Sequence, residues 1–354
     1  MKIKCPGCSK VYDIPDARLP FGEKISFPCP ACKTIIDIDL RGETGSGTPT
    51  PPQFQPKEAV GESSHSGDKE FISGEALQKK ILRNLEELPP MPQVMFKARE
   101  VMGDPNSSFK ALADILETDQ AMATRVLRLS NSAYYGLAGK VTSVQHASVL
   151  LGHQTLGEIV SMAGSSSLLG NSLEGYHLDS GDLWRHSLAV AFASRMIAEK
   201  KNPALDSDAF AAGLIHDAGK LVLDNYVLER TEEFDNVLSD EEQTFLSAEK
   251  KILGFDHSEI ASEMCKNWKI PNILATAIKY HHNPSRSQEN ELAFIVHMAD
   301  SLAMMSGIGT GIDGMRYKVD PKAMDFLGLK EEDLPKIMEE TVESVDKIAD
   351  QMLS

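Results

Sequence analysis

Residues 211–223 read AAGLIHDAGKLVL, placing His216 and Asp217 side by side in an apolar run with Lys220 one helical turn further on. Flanked by Leu214, Ile215, Leu221, Val222 and Leu223, such ionisable groups are costly to bury unless they are paired or bound to metal. The apolar spacing predicts a continuous helix through DAFAAGLIHDAGKLVLDNY, 208–226. The stretch therefore points to an all-helical body that carries its chemistry inside.

The neighbouring segments share the helical period. SGEALQKKILRNLEELPP carries Leu77, Ile81, Leu82, Leu85 and Leu88 at helical spacing and stops at Pro89 and Pro90. DQAMATRVLRLSNS starts behind an Asp119 cap, and SVQHASVLLG is expected to run from a Ser143 cap to Gly152. Further helices are expected in DLWRHSLAVAFASRMIAEKK, EEQTFLSAEKKILG, HSEIASEMCKNW, NILATAIKYHH and ELAFIVHMADSLAMM. No sheet pattern interrupts them. The amphipathic, acidic EEDLPKIMEETVESVDKIADQM is expected to pack on the body or on a partner.

The chain of 354 residues has room for one large domain and a small one, and 42% hydrophobic residues suffice for a core. A formal charge of −16 argues against broad attraction to nucleic acid or anionic membrane. No run of 18 apolar residues occurs, and MKIKCPGC lacks the apolar region of a signal peptide, so no membrane association and a cytoplasmic address are expected. Four of the five cysteines fall in the first 32 residues, which is the wrong distribution for a disulfide framework.

Residues 1–40 alternate in short pieces with turn residues and read as a small β module. Cys5-x2-Cys8 and Cys29-x2-Cys32 have the spacing of two knuckles closing one tetrahedral Zn2+ site, and four thiolates leave no open position, so this zinc is structural. Neither pair opens a helix in a βαβ unit, which argues against a redox role. The segment resembles the short zinc ribbon at the N terminus of many bacterial regulatory proteins, which implies an interaction module. Residues 41–70, rich in Gly, Pro, Ser and Thr, read as a disordered linker.

In the helical body, His186, His216, Asp217, His257, His281, His282 and Asp300 each lie on or at the end of an apolar helix. Mixed imidazole and carboxylate ligands suit Fe, Mn or Zn, and two such ions form a clamp used in phosphoester hydrolysis. In that scheme His186, His216, Asp217 and Asp300 hold one ion, and Asp217 bridges to a second held by His257, His281 and His282. Lys220 would balance phosphate charge, which makes it the one catalytic candidate if the protein is an enzyme. The bland alternative is hydrogen bonding within a helical core.

From about residue 85 to 310 the sequence resembles the HDOD family, the HD-related output domain. The likeness runs through LPPMPQVMFKAREVMGDPNSSFKALADILETDQAMATRVLRLSNSAYYGLAGKVTSVQHASVLLG, LWRHSLAVA, GLIHDAGKLVL, LGFDHSEIASEMCKNWKIPNILATAIKYHHNP and IVHMADSLA. The resemblance implies an all-helical domain, 71–310, related to HD phosphohydrolases but used in signalling, with a C-terminal extension over 311–354. This sequence keeps residues at the ligand positions of the catalytic relatives. It lacks the Gly-Tyr-Pro signature of the cyclic-di-GMP hydrolysing HD-GYP family, having HHNPSRSQEN instead.

His65, His146, His153, His177 and His297 carry no assigned role, and Met162, Met298, Met304 and Met305 read as core filler. LSNSAYYG, with Asn131, Ser132, Tyr134, Tyr135 and Gly136, reads as a helix end followed by an aromatic turn. SGIGTGIDG has no preceding strand and no following Gly-Lys-Ser/Thr, so it reads as a flexible turn. The expectation is a cytosolic regulator that contacts another protein in a signalling pathway. Its rivals are a metal-dependent phosphohydrolase acting on a nucleotide or cyclic dinucleotide, and a regulator that reads nucleic acid through the ribbon alone.

Overall fold

The computed structural model describes residues 2–4, 11–13, 24–28, 35–39, 74–84, 101, 108–137, 139–312 and 318–353. Cys5, Cys8, Cys29 and Cys32, the predicted linker, and the segment from Leu85 to Glu100 lie outside the described residues. The chain separates into two units, Met1–Asp68 and Lys69–Ser354.

The first unit contains two antiparallel pairs. Strand β1 (Lys2–Lys4) pairs with β2 (Val11–Asp13) in the register Ile3 to Tyr12, and β3 (Lys24–Pro28) pairs with β4 (Ile35–Asp39) in the register Ser26 to Asp37. These are the short strands expected of the N-terminal module.

In the second unit the described residues form helices joined by turns, with the lone bridge Leu173 to Leu178 as their only β pairing. In order they are α1 (Gly74–Asn84), α2 (Phe109–Leu116), α3 (Gln120–Ser130), α4 (Val144–Leu169), α5 (Asp182–Lys201), α6 (Asp206–Ile215) and α7 (Lys220–Leu228). They are followed by α8 (Thr231–Leu238), α9 (Phe245–Leu253), α10 (His257–Asn267), α11 (Asn272–Tyr280), α12 (Glu291–Met305), α13 (Ala323–Leu327) and α14 (Asp333–Leu353). The expected caps form: Asp119 accepts from the Met122 amide at 3.0 Å, and Ser143 from the His146 amide at 3.0 Å.

Helices α5 and α12 are the centre of the body. Residues Leu183 to Ala193 of α5 are buried almost without interruption, and Leu292 to Ala303 of α12 are buried throughout, the pattern of helices surrounded by protein on every side. Helix α6 packs closely on α5 because position 213 is glycine. A Cβ there would lie 2.8 Å from the Val190 carbonyl oxygen and 2.9 Å from the Ala191 Cα. The acidic C-terminal helix α14 packs on α5, α12 and α3, burying Val345, Ile348 and Ala349.

Three local features differ from the sequence expectation. The predicted helix through residues 208–226 is two helices, because the chain leaves helical hydrogen bonding over His216–Gly219. The helix expected to stop at Gly152 does break there, with φ 79° and ψ 170°, but resumes and runs on to Leu169. The loop over residues 306–312 is packed rather than loose: Gly309 adopts φ +58°, and a Cβ on it would sit 2.3 Å from the Asp182 carbonyl oxygen and 2.8 Å from His186 Cβ.

Candidate metal centre

The break at His216–Gly219 positions the first pair. His216 follows the end of α6, where the last carbonyls lack helical partners, and its Nδ1–H donates to the Gly213 carbonyl at 2.8 Å. His281 repeats the arrangement after α11, donating from Nδ1 to the Ile278 carbonyl at 2.7 Å. His186, in the first turns of α5, donates from Nδ1 to Ile308 in the packed loop at 3.2 Å. In each ring the carbonyl partner fixes the proton on Nδ1 and leaves the Nε2 lone pair facing inward.

The inward atoms fall into two groups, each with its ligand atoms within 4.8 Å of one another: His186, His216 and Asp300 in one, and Asp217, His257, His281 and His282 in the other. Asp217 stands between them. Its Oδ2 lies 3.5 Å from His216 Nε2 and 3.8 Å from His186 Nε2, while its Oδ1 lies 3.2 Å from His257 Nε2 and 3.8 Å from His281 Nε2. Asp300 reaches in from the middle of α12, with Oδ1 3.1 Å from His186 Nε2 and 3.8 Å from His216 Nε2. All seven residues named from the sequence are thus brought together. All except the half-buried His282 are buried, at no more than 2% exposure.

Whether these residues fit a metal is tested by their unsatisfied atoms. His186 Nε2, His216 Nε2, His281 Nε2, Asp217 Oδ1 and Asp300 Oδ1 are all buried without a hydrogen-bond partner. Five orphaned polar atoms converging on one region would each carry a desolvation cost that bound cations relieve. The electrostatics agree. Burial holds His216 and His282 below the ordinary histidine range and pushes His281 down to about 3, so these rings are neutral, the form that metal coordination requires. Burial disfavours charge on Asp217, but the cation of Lys220 and the hydrogen bond and charge of His257 overcome it, and His186 does the same for Asp300, so both carboxyls stay ionised. Burial lowers His186, yet Asp300 and Asp217 raise it on balance; a proton there occupies the gap a cation would fill.

Glu249 and Tyr176 were not named from the sequence, whereas Lys220 was. Glu249 of α9 is fully buried; its Oε2 accepts from His257 Nδ1 at 2.7 Å and from the His257 amide at 3.2 Å, and its Oε1 accepts from the Tyr176 hydroxyl at 2.5 Å. This carboxylate aims His257 as a backing group aims a metal ligand. Lys220 is buried with Nζ 2.6 Å from Asp217 Oδ2 and 5.6 Å from the centre of the Tyr176 ring. His297 is structural: its Nδ1 donates to the His281 carbonyl at 2.6 Å, and its Nε2 accepts from the Asp320 amide at 2.8 Å. Of the methionines, Met162 and Met298 fill the core, whereas Met305 is 57% exposed.

Comparison with known proteins adds the family. A model of the HDOD domain matches residues 88–284, and one of a zinc-ribbon domain matches residues 1–37, a span that includes the four N-terminal cysteines. An HDOD domain protein of unknown function from Geobacter sulfurreducens is 22% identical, with a TM-score of 0.58 over 77% of this chain and 94% of that one. A candidate phosphohydrolase from Shewanella amazonensis SB2B is 24% identical, with a TM-score of 0.60 over 77% and 97%. A candidate signal transduction protein from Marinobacter aquaeolei VT8 is 23% identical, with a TM-score of 0.62 over 78% and 65%. An uncharacterized protein of Treponema pallidum (strain Nichols) is 20% identical over 214 residues, covering 60% of this chain and 41% of that protein's length. Likeness at these identities is one of fold. No described helix is long and apolar enough to cross a membrane.

Proposed function

Because this chain belongs to the HDOD family, with a zinc-ribbon domain at its N terminus, we propose that it is a cytosolic signal-transduction protein whose helical body holds a resident metal centre and acts by contacting another protein. The observation that carries this reading is the enclosure of the ligand set: apart from His282, every candidate ligand is at most 2% exposed. A catalytic metal must be reached by its substrate, whereas an ion enclosed by buried side chains suits a role in fixing a conformation. His186, His216 and Asp300 would hold one ion, and Asp217, His257, His281 and His282 a second. Glu249 and the carbonyls of Gly213, Ile278 and Ile308 orient the rings, and the ribbon cysteines would hold structural zinc.

One feature supports an alternative. Asp217 presents its two oxygens to the two ligand groups, as a shared carboxylate does in a two-ion phosphohydrolase. Fe, Mn or Zn bound there would supply Lewis acidity for phosphoester cleavage, while Asp217 and Lys220 would set the charge beside the scissile group.

Elemental analysis of the full chain, purified without oxygen or chelator, tests the reading together with turnover of an activated phosphodiester. The regulator is expected to carry about one or two ions beyond the ribbon zinc, lost in His216→Ala, with no turnover. Turnover abolished by Asp217→Ala would establish the hydrolase instead. Steeply salt-dependent nucleic-acid binding, removed by Cys5→Ser, would move the function to the ribbon.

A further inference from the structure

Away from the ligand set, two cavities of about 330 and 280 Å³ share the residues Lys279, Tyr280 and Arg286. Lys250, Asp256 and Glu259 complete the first, and Lys266 and Gln288 contribute to the second. Four cations are thus gathered along one groove of a chain whose formal charge is −16.

Two of these four cations are already paired with acids. Asp256 accepts from the Glu259 amide at 2.9 Å, from Ser258 Oγ at 2.6 Å and from Lys250 at 2.8 Å, while Glu259 accepts from the Asp256 amide at 3.2 Å. Both carboxylates are engaged in capping α10, and the Asp256 side chain is almost fully buried. Lys266 is held by Glu263 at 2.5 Å. Lys279 and Arg286 make no ion pair with a described carboxylate, and they are the two cations common to both cavities. Arg286 sits on an ordered loop: its amide donates to Asn283 at 2.9 Å, and Gln288 and Glu289 turn the chain back with φ of 57° and 62°.

We propose that the joined cavities form a second site, which binds a small phosphate-bearing anion on Lys279 and Arg286. A guanidinium fork beside an ammonium matches phosphate oxygens, and the polar lining suits a ligand held by charge rather than by apolar burial. Half-buried Tyr280 lines both cavities, with Lys279 Nζ 5.6 Å from its ring centre, so a base stacked beside a phosphate on Lys279 would meet an aromatic ring. The site adjoins the second ligand group: Lys279 and Tyr280 directly precede His281, and Ser258, next to His257, donates to the Lys279 carbonyl at 3.0 Å. The proposal does not depend on the metal reading.

Isothermal titration of the full chain at physiological salt, with tripolyphosphate and with ATP, tests it. Lys279→Gln and Arg286→Gln should each weaken binding by about tenfold or more, and the double variant should abolish it with the melting temperature unchanged. Lys336→Gln, on the exposed face of α14, should bind as the wild type does. Tighter binding of ATP than of tripolyphosphate, with the difference removed by Tyr280→Ala, would identify a nucleotide; equal binding would identify the phosphate chain alone. No heat up to millimolar probe, or binding kept in the double variant, would overturn the proposal.

Discussion

Replacing Glu249 by glutamine probes whether the buried carboxylate tunes the metal centre or only fills a hydrogen-bonding niche. The wild-type side chain accepts three bonds, two on Oε2 from His257 and one on Oε1 from Tyr176. A glutamine can meet them only with its oxygen toward His257 and its amide toward Tyr176, whose hydroxyl can rotate to accept. Fold stability should therefore fall by only about 1–2 kcal/mol, a change in melting temperature of roughly 2–8 °C for a body of this size. Loss of the negative charge behind His257 makes the ring a weaker donor. Backing groups of this kind are worth about 10- to 100-fold in metal affinity, equivalent to about 1.4–2.8 kcal/mol. Competition against a graded series of chelators measures this directly, with a Cys5→Ser, Cys8→Ser background removing the ribbon's contribution. An unchanged affinity in a folded Glu249→Gln protein would refute the tuning role.

Other consequences can be checked with the same material. Gly309→Ala should cost about 1–3 kcal/mol in backbone strain alone, and because its Cβ would press on His186 it should loosen metal held by that residue before the fold melts; equal loss from both ligand groups would contradict this. Arg195 bonds both Glu158, at 2.7 Å, and the Tyr134 hydroxyl of the LSNSAYYG turn. Arg195→Leu should destabilise by about 3 kcal/mol through the stranded Glu158 carboxylate, and Tyr134→Phe by only about 1 kcal/mol, both readable by thermal melts. Metal-free protein should be less stable at pH 5 than at pH 7.5. His216, His281, His282 and His297 are held below the ordinary histidine range, mainly by burial, so the unfolded chain binds more protons than the folded one as pH falls below about 6.5. His186 and His257, raised by their carboxylates despite burial, act in the opposite sense, but they are two against four. A melting temperature that rises on acidification would contradict this balance.

The seven convergent residues were legible because each is an ionisable side chain embedded in an apolar helical pattern, and that mismatch is visible without coordinates. Glu249 showed the same mismatch more quietly. It lies on the stripe Phe245, Ala248, Glu249, Ile252 and Leu253, at positions where a solvated glutamate has no place. The break at His216–Gly219 was hidden because helical period persists across a turn. Its place in the fold is fixed by a tertiary contact: a Cβ on Gly219 would lie 2.0 Å from the His257 carbonyl oxygen, so the chain must pass that point without a side chain. The loop at 306–312 read as flexible because glycine reports freedom in a sequence, whereas here Gly309 and Gly311 serve close approach to Asp182 and Tyr176.

The sealed ligand cage also has a temporal side. An ion held by His186, His216 and Asp300, which are fully buried between α5, α6 and α12, would leave only when the helices part, so its residence time would be set by the breathing of the fold and not by the strength of individual coordinate bonds. Amide exchange in α12 and metal release should then share one rate and one activation enthalpy. Loading would then belong to the period of chain folding, before the helices close around the ligands.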